Sequence, residues 1–246
     1  MTSNRVEANK VLKDLISIYD SDSPATEAYR SLRTNIMFKN FDKPIKVVNV
    51  TSASQGEGKS TTCLNLAIVY SQLNKKVLIL DLDLRIPSIH KKLRMRNTIG
   101  ITDLLNNRAT KEEAIKHVFN NIDVITTGSK IIYHSEFIQS KALTLFIEEM
   151  RKVYDFIIID CPPVGLVTDG IIVSNYTDGT IIVCESDRND KKTLQRMKYQ
   201  FDEVGTNVLG VVITKADLSK KYYSYYGYRY DDTKSKKKAK KNKKKV

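Results

Sequence analysis

Lys46-Val47-Val48-Asn49-Val50, then Ala53-Ser54-Gln55-Gly56-Glu57-Gly58-Lys59-Ser60, then Thr61-Thr62-Cys63-Leu64-Asn65-Leu66-Ala67 is the stretch that decides the fold. A β-branched apolar run enters a glycine-rich turn and a helical pattern leaves it, the strand, loop and helix of a phosphate-binding loop. Successive N–H groups of residues such as Ser54, Gln55, Gly56, Glu57 and Gly58, with the helix N-terminus behind them, form a cradle for phosphate oxygens. Lys59 can reach the terminal phosphates and the Ser60 hydroxyl can ligate Mg²⁺. Gly56 and Gly58 permit the close backbone approach. Ala53 stands where such loops usually begin with glycine, which requires it to avoid positive φ.

Outward from this loop, short β-rich runs alternate with helical patterns between Lys46 and Thr214, the mark of an α/β fold with a parallel sheet and helices on both faces. The expected strands are 46–50, 77–81, 123–126, 156–160, 180–184 and 208–214. Phe156-Ile157-Ile158-Ile159 and Thr180-Ile181-Ile182-Val183 are continuously apolar, as strands covered on both sides should be. Ligands of such sheets bind at the carboxyl ends of the strands. Two strands end there in acid: Leu80-Asp81-Leu82-Asp83-Leu84-Arg85 and Ile159-Asp160-Cys161-Pro162-Pro163. A strand-end aspartate alone ordinarily caps a turn. Three beside a phosphate loop point instead to a metal–nucleotide site, with Ser60, Asp81, Asp83 and Asp160 as metal candidates.

The 246 residues, 41% of them hydrophobic, suffice for one sizeable core. No run approaches the roughly 18 apolar residues of a membrane span, and the first residues lack the apolar centre of a signal peptide, so a cytoplasmic chain is expected. Cys63, Cys161 and Cys184 have no ligand spacing and read as reduced core thiols. The net charge of +13 is mostly terminal: residues 231–246 hold nine lysines against two aspartates. That tail has too little apolar surface to order itself and is expected to be disordered. Its charge alone is a weak argument for nucleic acid, which is not the expected partner. A helix should begin at Ser23-Pro24-Ala25-Thr26-Glu27. Between positions 222 and 230 lie six of the 13 tyrosines, Tyr222, Tyr223, Tyr225, Tyr226, Tyr228 and Tyr230, a density that no core periodicity requires.

The order of P-loop, DxDxR, apolar-DxPP and tyrosine cluster resembles the bacterial tyrosine kinases, in particular their stand-alone cytoplasmic, capsule-type form from Gram-positive bacteria, over about residues 23–230. The resemblance implies an ATP- and Mg²⁺-dependent protein-tyrosine kinase of P-loop NTPase-like fold, acting on itself and on other proteins in capsular polysaccharide synthesis. In its terms Lys59 and Ser60 bind phosphates and Mg²⁺, and Thr61 lies near the α-phosphate. Asp83 is the catalytic base, Asp81 and Asp160 help to hold Mg²⁺, and the six tyrosines are phosphoacceptors. Glu27, Arg30 and Arg33 match the family's ExxRxxR motif, which implies a homo-oligomeric ring. A transmembrane activator whose cytoplasmic end completes the nucleotide site is also implied, which would hold the chain at the inner face of the membrane, where the lysine tail could meet anionic lipid.

The implied organisation is an N-terminal segment 1–22, a kinase domain 23–218, a tyrosine cluster 219–230 and the tail 231–246. Three further features set this chain apart. Gly128-Ser129-Lys130-Ile131-Ile132-Tyr133-His134-Ser135-Glu136 stands where many relatives carry a proline-rich loop, Thr214 where they often have asparagine near the adenine, and the tail is unusually rich in lysine. The rival reading is a ParA/MinD-type positioning ATPase. Its signature lysine near the start of the P-loop is absent here, where the residue is Ser54. A nucleotide-binding scaffold without transfer activity is a third reading.

Overall fold

The computed structural model describes residues 15–39, 43–119, 121–188 and 191–216. The chain divides into two units, Met1–Thr214 and Lys215–Val246, and every element below belongs to the first. Its strands are β1 (Val47–Ser52), β2 (Val77–Asp81), β3 (Lys116–Phe119), β4 (Ile122–Ile125), β5 (Phe156–Asp160), β6 (Gly179–Glu185) and β7 (Val208–Thr214). Its helices are α1 (Ile16–Tyr19), α2 (Pro24–Phe38), α3 (Lys59–Ser71), α4 (Ile89–Lys92), α5 (Ile101–Leu105), α6 (Lys111–Ala114), α7 (His134–Ile138), α8 (Lys141–Val153), α9 (Asp169–Ser174) and α10 (Lys191–Glu203).

The strands form one sheet in the order β3-β4-β2-β5-β1-β6-β7. All neighbours are parallel except β3 and β4, which run antiparallel. The sequence reading holds six strands in a parallel sheet and omits β3. That short strand starts with Lys116 and His117, and polar residues suit an exposed edge while concealing it from any search for apolar runs. An antiparallel neighbour needs only a tight connection, so no helix announces it either.

Successive strand residues feed opposite faces. Phe156 and Ile158 of β5 pack with Cys63, Leu66, Ala67 and Tyr70 of α3, where the Tyr70 and Phe156 rings stack at 3.8 Å. Ile157 and Ile159 pack on the other side with Leu143, Phe146, Ile147 and Met150 of α8. Both faces are therefore helix-covered, which explains why the central strands carry no polar alternation. The helix expected at Ser23 begins there: its Oγ accepts the Thr26 N–H at 3.2 Å and Pro24 occupies the first turn. Leu15 and Ser17, ahead of that helix, are buried in the same unit, and the Ser17 N–H donates to Asn65 Oδ1 at 3.0 Å.

Register brings the site together. Asp160 pairs with Val50 of β1 on one side and with Asp81 of β2 on the other, so the carboxyl ends of three adjacent strands meet.

Candidate active site

Between β1 and α3 the chain turns through Gly56 (φ 77°) and Gly58 (φ 96°). A Cβ on Gly58 would lie 3.2 Å from the Thr214 methyl, in a backbone conformation that favours glycine. Ala53 avoids positive φ, as its place in the loop requires. Two devices hold the loop in shape. Glu57 is fully buried and its carboxylate accepts the Ser54 N–H at 3.1 Å, while Thr214, at the end of β7, donates its hydroxyl to the Glu57 carbonyl at 2.7 Å. The Glu57 carboxylate and the Ser54 N–H thus serve the loop's own architecture. Thr61 is half-buried in the first turn of α3.

Lys59, Ser60, Asp81, Asp83 and Asp160 are all buried. The Ser60 hydroxyl donates to Asp160 Oδ2 and accepts from Ser88 Oγ at 2.5 Å. Asp160 Oδ1 is buried without a hydrogen-bond partner, and the Cys63 thiol lies close enough to the carboxyl group to favour its charged form. Asp81 accepts the N–H groups of Asp83 (3.1 Å) and Ile89 (3.3 Å), and Asp83 accepts that of Ile86 (3.0 Å). Both aspartates therefore shape the loop after β2, the ordinary turn-capping role, while lying beside the phosphate loop.

Burial pushes the Asp160 carboxyl up to about 6, against the pull of the Lys59 ammonium and the Ser60 hydroxyl. Asp81 is driven well above the usual carboxylate range by burial and then by the charges of Asp160 and Asp83. Burial also raises Asp83, and the Ile86 N–H and Lys59 offset part of that rise. Lys59 offsets the burial of Asp160 and Asp83 only, and Asp81 is raised further by its two acidic neighbours, so a further cation would relieve the group. Mg²⁺ takes hard oxygen donors, few of them from protein, and the Ser60 hydroxyl beside the unpartnered Asp160 Oδ1 fits that demand. Among the described residues no three His, Cys, Asp or Glu side chains converge as a ready-made metal cage.

Arg85 is held by Asp169 of α9, with Nε to Oδ2 at 2.9 Å, and Ser135 Oγ donates to the same carboxylate at 3.1 Å. Away from the site, Glu27 and Arg30 pair on α2 at 3.3 Å, whereas Arg33 turns inward and donates to the Val69 carbonyl at the end of α3. Tyr222, Tyr223, Tyr225, Tyr226, Tyr228 and Tyr230 lie outside the described residues, as does the lysine tail. Ser88 and Asp169 escape the sequence reading: a serine after proline and an acid in the first turn of a helix are too common to stand out. The three cysteines are buried.

Fold and site together define a P-loop nucleotide-binding domain, and the family described as "AAA domain" matches residues 45–211. The chain belongs to the bacterial tyrosine kinases. It is 34% identical over 229 residues to the tyrosine-protein kinase YwqD of Bacillus subtilis, covering 92% of this chain and 97% of that one. It is 34% identical over 206 residues to the tyrosine-protein kinase CpsD of Streptococcus pneumoniae, covering 83% and 90%. Among solved structures, the chimerical protein CapA2B2 superposes with a TM-score of 0.79 at 35% identity, over 82% of this chain and 89% of that one. The kinase domain of the Escherichia coli tyrosine kinase ETK gives 0.77 at 26%, over 82% and 81%. The septum site-determining protein MinD of Pyrococcus horikoshii, solved with Mg-ADP, shares the fold at 0.58 and 25%, over 68% and 69%. The rival reading thus has the same architecture and a weaker likeness.

Proposed function

We propose that this chain transfers the γ-phosphoryl group of Mg-ATP to tyrosine hydroxyls, its own cluster Tyr222–Tyr230 among them. The observation that carries the nucleotide half of this reading is the Ser60–Asp160 pair with its unpartnered buried oxygen, beneath a phosphate loop and beside Asp83. Ser60 and Asp160 would hold Mg²⁺, with Asp81 shaping the loop alongside. Bound there, the ion supplies charge neutralisation to the phosphates.

The protein's own residues do the rest. Lys59 binds the terminal phosphates and stabilises the charge spread over them during transfer. Asp83, with one oxygen anchored by the Ile86 N–H, accepts the tyrosine hydroxyl proton as the tyrosine oxygen bonds to the γ-phosphorus and the bridging P–O bond to ADP breaks. Its raised proton affinity makes it a stronger base than an exposed aspartate.

Partners follow the same reading. We infer for this chain a transmembrane activator that joins it at the inner face of the membrane, and a ring assembled through Glu27 and Arg30. Among the described residues no helix is long and apolar enough to cross a membrane.

Mass spectrometry of phosphotyrosine after incubation with Mg-ATP, with and without an activator peptide, tests the reading. Phosphate on the cluster that disappears in Lys59→Met supports it. ATP hydrolysis with no tyrosine phosphate under either condition sinks it in favour of the positioning ATPase.

A further inference from the structure

A cavity of about 360 Å³ opens between the loop after β2 and the loop after β4. Leu84 and Arg85 line one wall, immediately after Asp83 in the chain. The other wall carries Lys130, Ile131 and His134, from the loop after β4 and the start of α7. No carboxylate lines the cavity among the described residues. Asp103 is buried under the loop after β4 and bonded to the Gly100 and Ser129 N–H groups, each at 3.0 Å. A Cβ on Gly128 (φ 82°) would fall 2.1 Å from an Asp103 oxygen, so the loop sits tightly on this buried acid. The wall that presents Lys130 is therefore shaped from behind.

Arg85 is fixed and charge-balanced by Asp169. Lys130 is exposed and has no ion-pair partner among the described residues. The cavity thus combines apolar Leu84 and Ile131 with an uncompensated cation, at the end of the segment that carries the base. Such a surface favours an aromatic side chain followed closely by an anion.

We propose that this cavity is the acceptor subsite and selects tyrosines that carry a negative charge one or two positions downstream, with Lys130 and His134 as specificity-determining residues. The inference rests on the tyrosine-kinase reading above and adds to it a substrate class. The chain's own sequence contains that class. Tyr230 is followed by Asp231-Asp232. Once Tyr230 carries phosphate, Tyr228 has an anion at its second downstream position. The same spacing of one or two then passes through Tyr226, Tyr225, Tyr223 and Tyr222. Selection by charge therefore predicts that phosphate spreads through the cluster from its carboxyl end.

The test uses the full-length protein and free peptides of sequence 222–232 in which one tyrosine is kept and the others are phenylalanine. One peptide keeps Tyr230 before Asp231-Asp232, and a second has both aspartates changed to asparagine. A third keeps Tyr228 with phosphotyrosine at 230, and a fourth is the same peptide with phenylalanine at 230. The anionic member of each pair should be favoured about tenfold in kcat/KM, the factor that one charge-assisted contact of roughly 1.4 kcal/mol supplies. A preference in either pair supports the proposal, and the two pairs separate carboxylate from phosphate as the anion read. Lys130→Ala should bring the ratio to about one, and Lys130→Glu, which repels the anion, should take it below one. A purely structural role would lower both rates of a pair and leave the ratio unchanged. Equal turnover of charged and neutral peptides overturns the proposal while leaving the kinase reading intact, and so does a ratio that survives in both Lys130 variants. Absence of turnover on every peptide, with the protein itself phosphorylated, also overturns it. Absence of both overturns the kinase reading as well.

Discussion

The phosphate loop and helix α2 both carry a motif, and the structure treats them in opposite ways. In the loop several polar groups are bonded within the fold: Glu57 with Ser54, Thr214 with the loop carbonyl, Ser60 with Asp160 and Ser88. On α2 the three motif residues part company. Glu27 and Arg30 pair with each other at 52% and 31% side-chain exposure, and Arg33 bonds the last turn of α3. A motif that works inside one chain is completed by that chain. The α2 motif leaves Glu27 and Arg30 on the surface, where a partner would have to complete it.

The sharpest way to break this contrast is to remove the loop's one buried cation. Lys59→Met should lower phosphotransfer by about 10²–10³-fold or more while the folded state survives, measured as phosphotyrosine formed per unit time beside a thermal melt. Asp83→Asn should lose roughly 10²–10⁴-fold in transfer and retain Mg-ATP binding by calorimetry. Wild-type transfer rates in Asp83→Asn would refute the base assignment.

Asp160 offers a test through pH. Its folded value of about 6 lies above the unfolded carboxylate value of 3.8, so the folded chain binds this proton more readily than the unfolded one. The contribution of Asp160 to stability is therefore fully favourable below about pH 4 and is lost as the pH rises to about 6. In the absence of Mg-nucleotide, Asp160→Asn should stabilise the protein at pH 7 relative to wild type, by on the order of 1–3 kcal/mol, and the gain should vanish near pH 4. Urea melts at the two pH values check this. The same variant should weaken Mg²⁺-dependent nucleotide binding.

The smallest effects separate the arginines of α2. Arg33→Ala removes a donor from the end of α3 and should cost about 1 kcal/mol in a urea melt. Arg30→Ala should change stability by less than roughly 0.5 kcal/mol, since its ion pair is exposed. If the ring assembles through this face, the sedimentation profile should move more for Arg30→Ala than for Arg33→Ala. The reverse order would place Arg33 at the interface.

How much of this was legible in the sequence depends on where each signal sits. The loop Ser54–Ser60, the strand ends at Asp81 and Asp160 and the helix start at Ser23 are local patterns, so strands, helix and ligand edge could be read in order. The antiparallel β3 could not, because Lys116 and His117 carry no apolar period. Ser88 and Asp169 are contacts across 28 and 84 positions, to Ser60 and to Arg85, and no spacing rule reaches that far. Arg33 illustrates a third limit: its place in a motif is plain, while its bond to Val69 exists only once α2 has packed on α3.

The three thiols give the fold a built-in reporter. Cys63 lies in the helix that starts at the phosphate loop, Cys161 directly follows Asp160, and the Cys184 carbonyl accepts from Thr214 at 3.4 Å. All three are buried, and burial raises the Cys63 and Cys161 thiols far above their ordinary value, which suppresses the reactive thiolate. Alkylation must then wait for the structure around the site to open. The rate at which a small electrophile adds mass to each cysteine, with and without Mg-nucleotide, thus counts the openings of three different walls of the site without any label having to be introduced.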